Sequence, residues 1–263
     1  MKNFLISCVG LLSCLSAFSQ TTSRVGLNYG IHIGWQLVGN AEAEMYDCRG
    51  GNNGADLEQI LINNTYNYTQ LQDYYNDDFT LYEYPNNITY KPALSLGGTL
   101  QYYLTESFAV VLNIVYVGPS ISHSNFSIKL SSPGDNLTNE VIEQGTVSAK
   151  ESRFNIDLGV HKVFTTGTYK PFVECAVVGS FLETKSHEIS IGNLTQSVLS
   201  YSNTDANTSF SKFGYGASCT AGLQFPLKER FYIYSGISLA ALHYGIVDNP
   251  YSLAKGIDVK ILF

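Results

Sequence analysis

Charge is scarce in this 263-residue chain: Asp, Glu, Lys and Arg make up 14% of it, against roughly a quarter of an ordinary soluble domain. A shortage of that size points to surface that meets something other than water. Basic residues are the scarcer class, 15 against 22 acidic, so there is no cationic footprint for nucleic acid, and a net charge of −7 disfavours phosphate-rich surfaces. Long apolar runs are missing beyond the N-terminus, and no helix of the ~20 residues needed to cross a bilayer can be drawn there. A chain that crosses without helices must cross as strands. Cysteine is sparse too. Of the five, Cys8 and Cys14 lie in the N-terminal apolar run, and Cys48, Cys175 and Cys219 are an odd number at wide spacing, which is no disulfide framework.

What is present is 44% hydrophobic, with 19 Tyr and 14 Phe. The first residues, MKNFLISCVGLLSCLSAFSQ, carry one Lys, an apolar stretch from Phe4 to Phe18 and a small-x-small site at Ala17-Phe18-Ser19. This is the pattern of a secretory signal, expected to be cleaved after Ser19 or Gln20. The competing reading is a lipoprotein signal with Cys14 as the lipidated residue. The domain division expected is a signal over 1–20 and one barrel domain over 21–263.

After the signal the chain alternates. Val25, Leu27, Tyr29, Ile31, Ile33, Trp35 and Leu37 interleave with Gly26, Asn28, Gly30, His32, Gly34 and Gln36, and period two is a strand. The pattern returns over Tyr90–Leu104, Phe108–Tyr116, Phe154–Val160, Tyr169–Phe181, Phe213–Phe225, Phe231–Leu239 and Tyr251–Phe263. Short connections at 105–107, 165–168 and 226–230 oppose long, polar ones at 38–89, 122–152 and 183–211. Tight turns at one rim and long loops at the other are the plan of a membrane barrel. The fold expected is all-β: an eight-stranded antiparallel up-and-down transmembrane β-barrel with long extracellular loops, with ten strands as the alternative because the third strand is apolar on its inner face too (Val111, Val115, Val117) and alternation weakens near Ala240 and Ala241.

The second face of these strands is Gly, Ser, Thr, Asn and Gln, which suits a narrow polar interior rather than a water-facing surface. Aromatics gather near strand ends, as interfacial girdles do; Trp35, Tyr90, Tyr116 and Phe181 are placed at the loop end, and Tyr102, Phe108, Phe225 and Phe231 at the turn end. The signal, the strand and loop plan and the ending KGIDVKILF resemble the small outer-membrane barrels of Gram-negative bacteria, of the OmpA/OmpX type in architecture. The FSQ signal end and YKPFVECAVVGSF are similar to the PorT-like barrels of Bacteroidetes. The resemblance implies a cell outer membrane location, outer-membrane lipid around a monomer, and a last strand read by the barrel assembly machinery through Gly256, Val259, Ile261 and Phe263.

Inward-facing ionisable residues, His32, Lys91, Arg153, Asp157, His161, Glu174, Lys212, Asp258 and Lys260, are expected to pair as a plug in a lumen barely wide enough for side chains; a proton or ion path is the competing use. Segment 38–89 holds nine acidic residues against one basic, Arg49, with seven tyrosines. A protein or surface ligand is expected there, and a short helix within GADLEQILIN through Leu57, Ile60 and Leu61. Asp77, Asp78 and Glu83 lack the oxygen spacing of a calcium loop, so neither metal nor cofactor is expected. Alternation at Phe126, Ile128, Leu130 and at Ile189, Ile191 suggests strands projecting beyond the membrane, capped by the first loop. His123 with Ser124, and His187 with Glu188 and Ser190, supply residue types for an outer-leaflet lipid enzyme without a recognisable spacing; the chain is read as non-enzymatic. Cys175 and Cys219 fall on the lipid face of adjacent strands as small hydrophobes, a disulfide being the alternative.

Overall fold

The computed structural model describes residues 25–50, 56–121, 124–131, 141–164, 169–198, 211–228, 231–245 and 251–263. The signal segment and His123 lie outside the described residues. Eleven strands are found among those described: β1 (Gly26–Leu37), β2 (Phe79–Glu83), β3 (Ala93–Thr105), β4 (Phe108–Val117), β5 (Ser124–Leu130), β6 (Ile142–Val163), β7 (Lys170–Ile191), β8 (Leu194–Ser197), β9 (Ser211–Lys228), β10 (Phe231–His243) and β11 (Ser252–Leu262). Eight of them form a ring in the order β1-β3-β4-β6-β7-β9-β10-β11, closed by β11 on β1, with every pairing antiparallel. These are the eight strands read from the alternation. Strand β10 keeps its register through the weak point, Ala240 opposite Ala254 and Ala241 opposite Leu253, so the ring needs no further strands.

Closure fixes which side of each strand is inside. Ile31, Ile33, Leu94, Leu96, Ile114, Leu158, Val177, Leu239 and Ile257 are all exposed on the outer wall, while Ser95, Thr99, Gln101, Asn113 and Gln224 are buried in the lumen. An apolar exterior around a polar, filled interior is the outer-membrane barrel arrangement. Registered neighbours carry Tyr116, Phe154, Phe181 and Phe213 side by side across four strands, a continuous aromatic belt on the loop side. Trp35, Tyr102 and Phe231 are also exposed on the wall; Phe108 and Phe225 are half-buried. Tyr90 departs from the expected girdle. Pro92 has no N–H to donate to a ladder, β3 starts only at Ala93, and Tyr90 bridges to Ile121 with its side chain buried.

Strands β6 and β7 run for 22 residues each, about twice the 9–11 residues that cross a bilayer. Their upper halves stand above the ring and are widened by β5 and β2 on one side and β8 on the other, giving the order β2-β5-β6-β7-β8. A bulge makes the transition possible. Glu151 faces Thr184 and Lys150 faces Ser186, leaving Lys185 without an opposite number. Below it Leu182 and Thr184 are buried; above it His187, Ile189 and Ile191 are. One extra residue thus re-aims the same strand from lumen to a second core.

That core belongs to an extracellular cap. The first loop forms a 3-10 helix (Asn40–Tyr46), α1 (Leu57–Leu61) and α2 (Thr65–Tyr75) before β2. Helix α1 starts on Asp56, whose carboxylate accepts from the Glu58 N–H, and α2 starts on Asn64, whose carbonyl accepts from the Asn67 N–H. Helix α2 ends on Asn76 in the left-handed region (φ 52°). Leu57, Ile60, Leu61 and Leu71 are fully buried against Phe79, Phe126, Ile128, Val147 and Ile189. Phe126 fits because its cross-strand neighbour is Gly145: a Cβ there would collide with its ring. The helix expected at Leu57 to Leu61 and the capping by the first loop are both found; α2 is additional.

Candidate functional site

The lumen is closed in two layers with a small chamber between them. At the turn end Tyr103 and Tyr234 share a hydrogen bond of 2.8 Å between hydroxyls. His161 lies against Phe172 and Tyr234, with ring centroids 5.1 and 5.2 Å away; Val163 and Leu262 complete the seal. Immediately above, Glu174 is held from three sides. Its Oε2 lies 3.1 Å from His161 Nδ1, and its Oε1 accepts from Lys260 Nζ at 2.5 Å and Asn113 Nδ2 at 2.9 Å. Across the lumen His32 Nε2 and Asp258 Oδ1 are 2.9 Å apart. Gly34 makes room for this pair, since a Cβ would run into the Asp258 carboxylate and the Ser95 hydroxyl.

Between the layers is a polar cavity of about 50 Å3 lined by His32, Asn113, Asn155, Asp157, Glu174, Asp258 and Lys260, among others. A water needs roughly 10–15 Å3 on this measure, so the chamber has room for a few waters and is too small for a solute of metabolite size. His32 Nδ1 and Asp157 Oδ1 border it without a hydrogen-bond partner among the described residues.

The second layer lies at the loop end. Arg153, 3% exposed, places Nε and Nη2 each 2.9 Å from Glu151 Oε2 and lies 3.8 Å from Glu42. The guanidinium lies over the Tyr90 and Tyr244 rings at 5.0 and 5.2 Å, two cation–π contacts. Tyr46 and Tyr90 both donate to Glu151 Oε1. Glu42 and Tyr46 belong to the 3-10 helix and Tyr90 to the end of the first loop, so the cap itself supplies the stopper. Burial pushes the Glu42 carboxyl up, with Arg153 opposing it.

The predicted inward charges therefore divide. His32, Asp157, His161, Glu174, Asp258 and Lys260 meet in the lower lumen, and Arg153 forms a separate knot above. Lys91 does not enter: its side chain is exposed at the rim, where its backbone N–H donates to the Ser120 carbonyl. Lys212 is likewise exposed at the start of β9. Glu42, Glu151, Tyr46 and Tyr244 are partners that alternation did not single out, because three of the four lie outside the spanning strands and their meeting depends on how the first loop folds back. In the last strand Gly256 is buried, Val259 and Ile261 are half-buried on the wall face, and Phe263 packs on Phe231 at 5.3 Å.

In the cap, Asp78 accepts from Tyr68 and Gln72, and Glu83 accepts from Ser127. No metal-binding group of three or more His, Cys, Asp or Glu occurs among the described residues. Ser124 Oγ donates to the Asn86 carbonyl and Ser190 pairs with Thr195, while His187 faces Cys48, with Nε2 3.3 Å from Sγ. Burial holds His187 down at about 4 and pushes the Cys48 thiol up to about 12. Both are neutral across the physiological range, the opposite of an activated Cys–His pair.

No known family's sequence profile matches the chain, and no curated protein sequence matches it. Among solved structures it is similar to Ail, the attachment invasion locus protein of Yersinia pestis (10% identity over 91% of this chain and 99% of that one, TM-score 0.36). It is also similar to the outer membrane protein OprG from Pseudomonas aeruginosa (9%, 93% and 99%, TM-score 0.38) and to the translocator domain of autotransporter NalP from Neisseria meningitidis (10%, 100% and 95%, TM-score 0.36). Likenesses at this level leave the assignment to the molecule's own wall, rims and lumen. On those features the chain is an outer-membrane β-barrel.

Proposed function

We propose that this protein is a non-enzymatic barrel, closed to solutes, that anchors a folded acidic cap at the cell surface, where the cap serves an adhesive, structural or secretion-accessory role. The observation that carries the reading is the double seal of the lumen beneath a cap with a core of its own. Segment 38–89 outweighs the net charge of the entire chain, and Tyr66, Tyr74 and Tyr82 are exposed on it at 75%, 54% and 49%. Exposed aromatics outside the membrane are common anchors of protein and surface contacts, and the surrounding carboxylates favour a cationic partner. The proposal includes export by a cleaved signal, insertion by the barrel assembly machinery as a monomer, and kinship with PorT-like barrels of Bacteroidetes, which rests on the FSQ signal end and YKPFVECAVVGSF alone.

A narrow channel is the second reading, favoured by the polar chamber and the unpartnered His32 and Asp157 atoms. Planar bilayers separate the two. Purified protein that is electrically silent, with photo-cross-linkers at Tyr66 or Tyr82 capturing a discrete surface partner, supports the anchor reading. Steady conductance from the folded protein overturns it.

A further inference from the structure

Cys175 on β7 and Cys219 on β9 are direct register partners. Their side chains share the outer face, both are exposed, and the sulfurs lie 3.1 Å apart as free thiols. Their depth is fixed by the aromatics of the same strands. Cys175 lies midway between Tyr169, just before β7, and Phe181 on it, and Cys219 lies midway between Phe213 and Phe225 on β9; the two flanking pairs, Tyr169 with Phe225 and Phe181 with Phe213, are in ring contact at 5.3 and 5.0 Å. The thiols therefore occupy the centre of the hydrocarbon layer, on the floor of a shallow apolar furrow walled by Leu158, Val160, Val177, Leu239 and Leu253.

This position has a chemical consequence. Thiol–disulfide exchange runs through the thiolate, and a charge in hydrocarbon is strongly disfavoured. Once the barrel is inserted, neither hydrophilic oxidants nor hydrophilic thiols can act on the pair. Its redox state is set beforehand, in an oxidising compartment where disulfides form and persist. Antiparallel register partners have Cα separations of about 4.5–5.5 Å, inside the 4.4–6.8 Å range that a disulfide spans. In the folded chain the third cysteine lies apart from the pair, buried in the cap against His187, so of the possible pairings the native register accommodates Cys175 with Cys219.

We propose that Cys175 and Cys219 are joined as an intramolecular disulfide during passage through the periplasm and that the membrane then locks the bond. The oxidant is a periplasmic thiol–disulfide oxidoreductase. One cysteine thiolate attacks the enzyme's disulfide, forming a mixed disulfide and releasing one enzyme thiolate. The second cysteine thiolate attacks the substrate sulfur of that mixed disulfide and expels the other enzyme thiolate. The two cysteine protons end on the enzyme, which leaves as the dithiol carrying both electrons. The link ties β7 to β9 across a separation of 44 residues, which includes the long connection between them.

The test uses outer membranes from growing cells, quenched in acid, unfolded in detergent and alkylated without reductant, followed by peptide mass mapping. The expected result is a linked Cys175–Cys219 peptide 2 Da lighter than the two thiol peptides, with Cys48 alkylated. A membrane-impermeant phosphine leaves the link intact in native membranes and reduces it after heat unfolding. Cys175→Ala leaves Cys219 alkylatable and lowers the unfolding temperature of the folded band by several degrees. Both residues alkylated in the wild-type outer-membrane fraction overturns the proposal, as does a link to Cys48 or to a second chain. Reduced thiols with the protein found in the cytoplasm overturn both the link and the export reading, so the two failures are distinguishable.

Discussion

Acidification should open the extracellular cap before it disturbs the barrel, with His187 as the trigger. His187 lies on the upper part of β7, its ring edge-on to Tyr46 at 5.0 Å and its Nε2 on the Cys48 sulfur. Burial lowers it from 6.5 to about 4, so between those values the unfolded cap binds a proton that the folded cap does not. Stability from this group is therefore complete above about pH 6.5 and is lost as pH falls toward 4. At 1.36 kcal/mol per unit, the full loss is about 3 kcal/mol, and at pH 4.5 the opening equilibrium rises about 100-fold. Glu42 acts in the opposite sense: its raised pKa makes the folded state the better proton binder, so its contribution grows as pH falls. The assay is reaction of Cys48 with a dithiodipyridine, which modifies thiols at acid pH, in protein carrying Cys175→Ala and Cys219→Ala. Cys48 is 3% exposed, so its modification reports cap opening. The modification rate should climb steeply from pH 7 to 4.5 in this protein and stay nearly flat when His187→Phe is added. Equal pH profiles for the two would refute the reasoning.

Lys260→Met should cost about 3–5 kcal/mol in urea unfolding from lipid vesicles, because Glu174 loses its ammonium partner while remaining buried; adding Glu174→Gln should recover most of it, and a loss below about 1 kcal/mol would contradict the pairing. Replacing Phe263 with Ala should reduce the yield of the heat-modifiable folded form several-fold in cells while leaving the unfolding midpoint of the purified barrel nearly unchanged. A midpoint falling as far as the yield would make Phe263 a packing residue rather than an assembly signal.

Much of the wall was legible because alternation is local. Each strand states its own apolar face every second residue, and the terminal GIDVKILF does so up to the last residue. Tyr90 and Lys91 depart from the pattern for an equally local reason: the alternation runs on through Pro92, but hydrogen bonding does not, and β3 starts only at Ala93. The long loops read as strand-like fragments at Phe126 and Ile189, yet nothing in their spacing revealed Lys185 as the bulge that joins lumen to cap. Helix α2 was hidden by its composition, since TYNYTQLQDYY buries only Asn67 and Leu71 and has little apolar periodicity to betray it.

The sequence by itself determined the architecture: strands rather than helices, an apolar side for lipid, a small polar side for the lumen, and acidic loops at one rim. Tertiary structure decided which charges meet. His32 finds Asp258 across 226 residues and Lys260 finds Glu174 across 86, pairings fixed only when β11 closes on β1 and sets every register in the ring. The seal over Arg153 likewise exists because the first loop returns to the mouth of the barrel. A residue's face follows from its immediate neighbours, whereas its partner follows from closure of the whole chain, and that is information no local pattern carries.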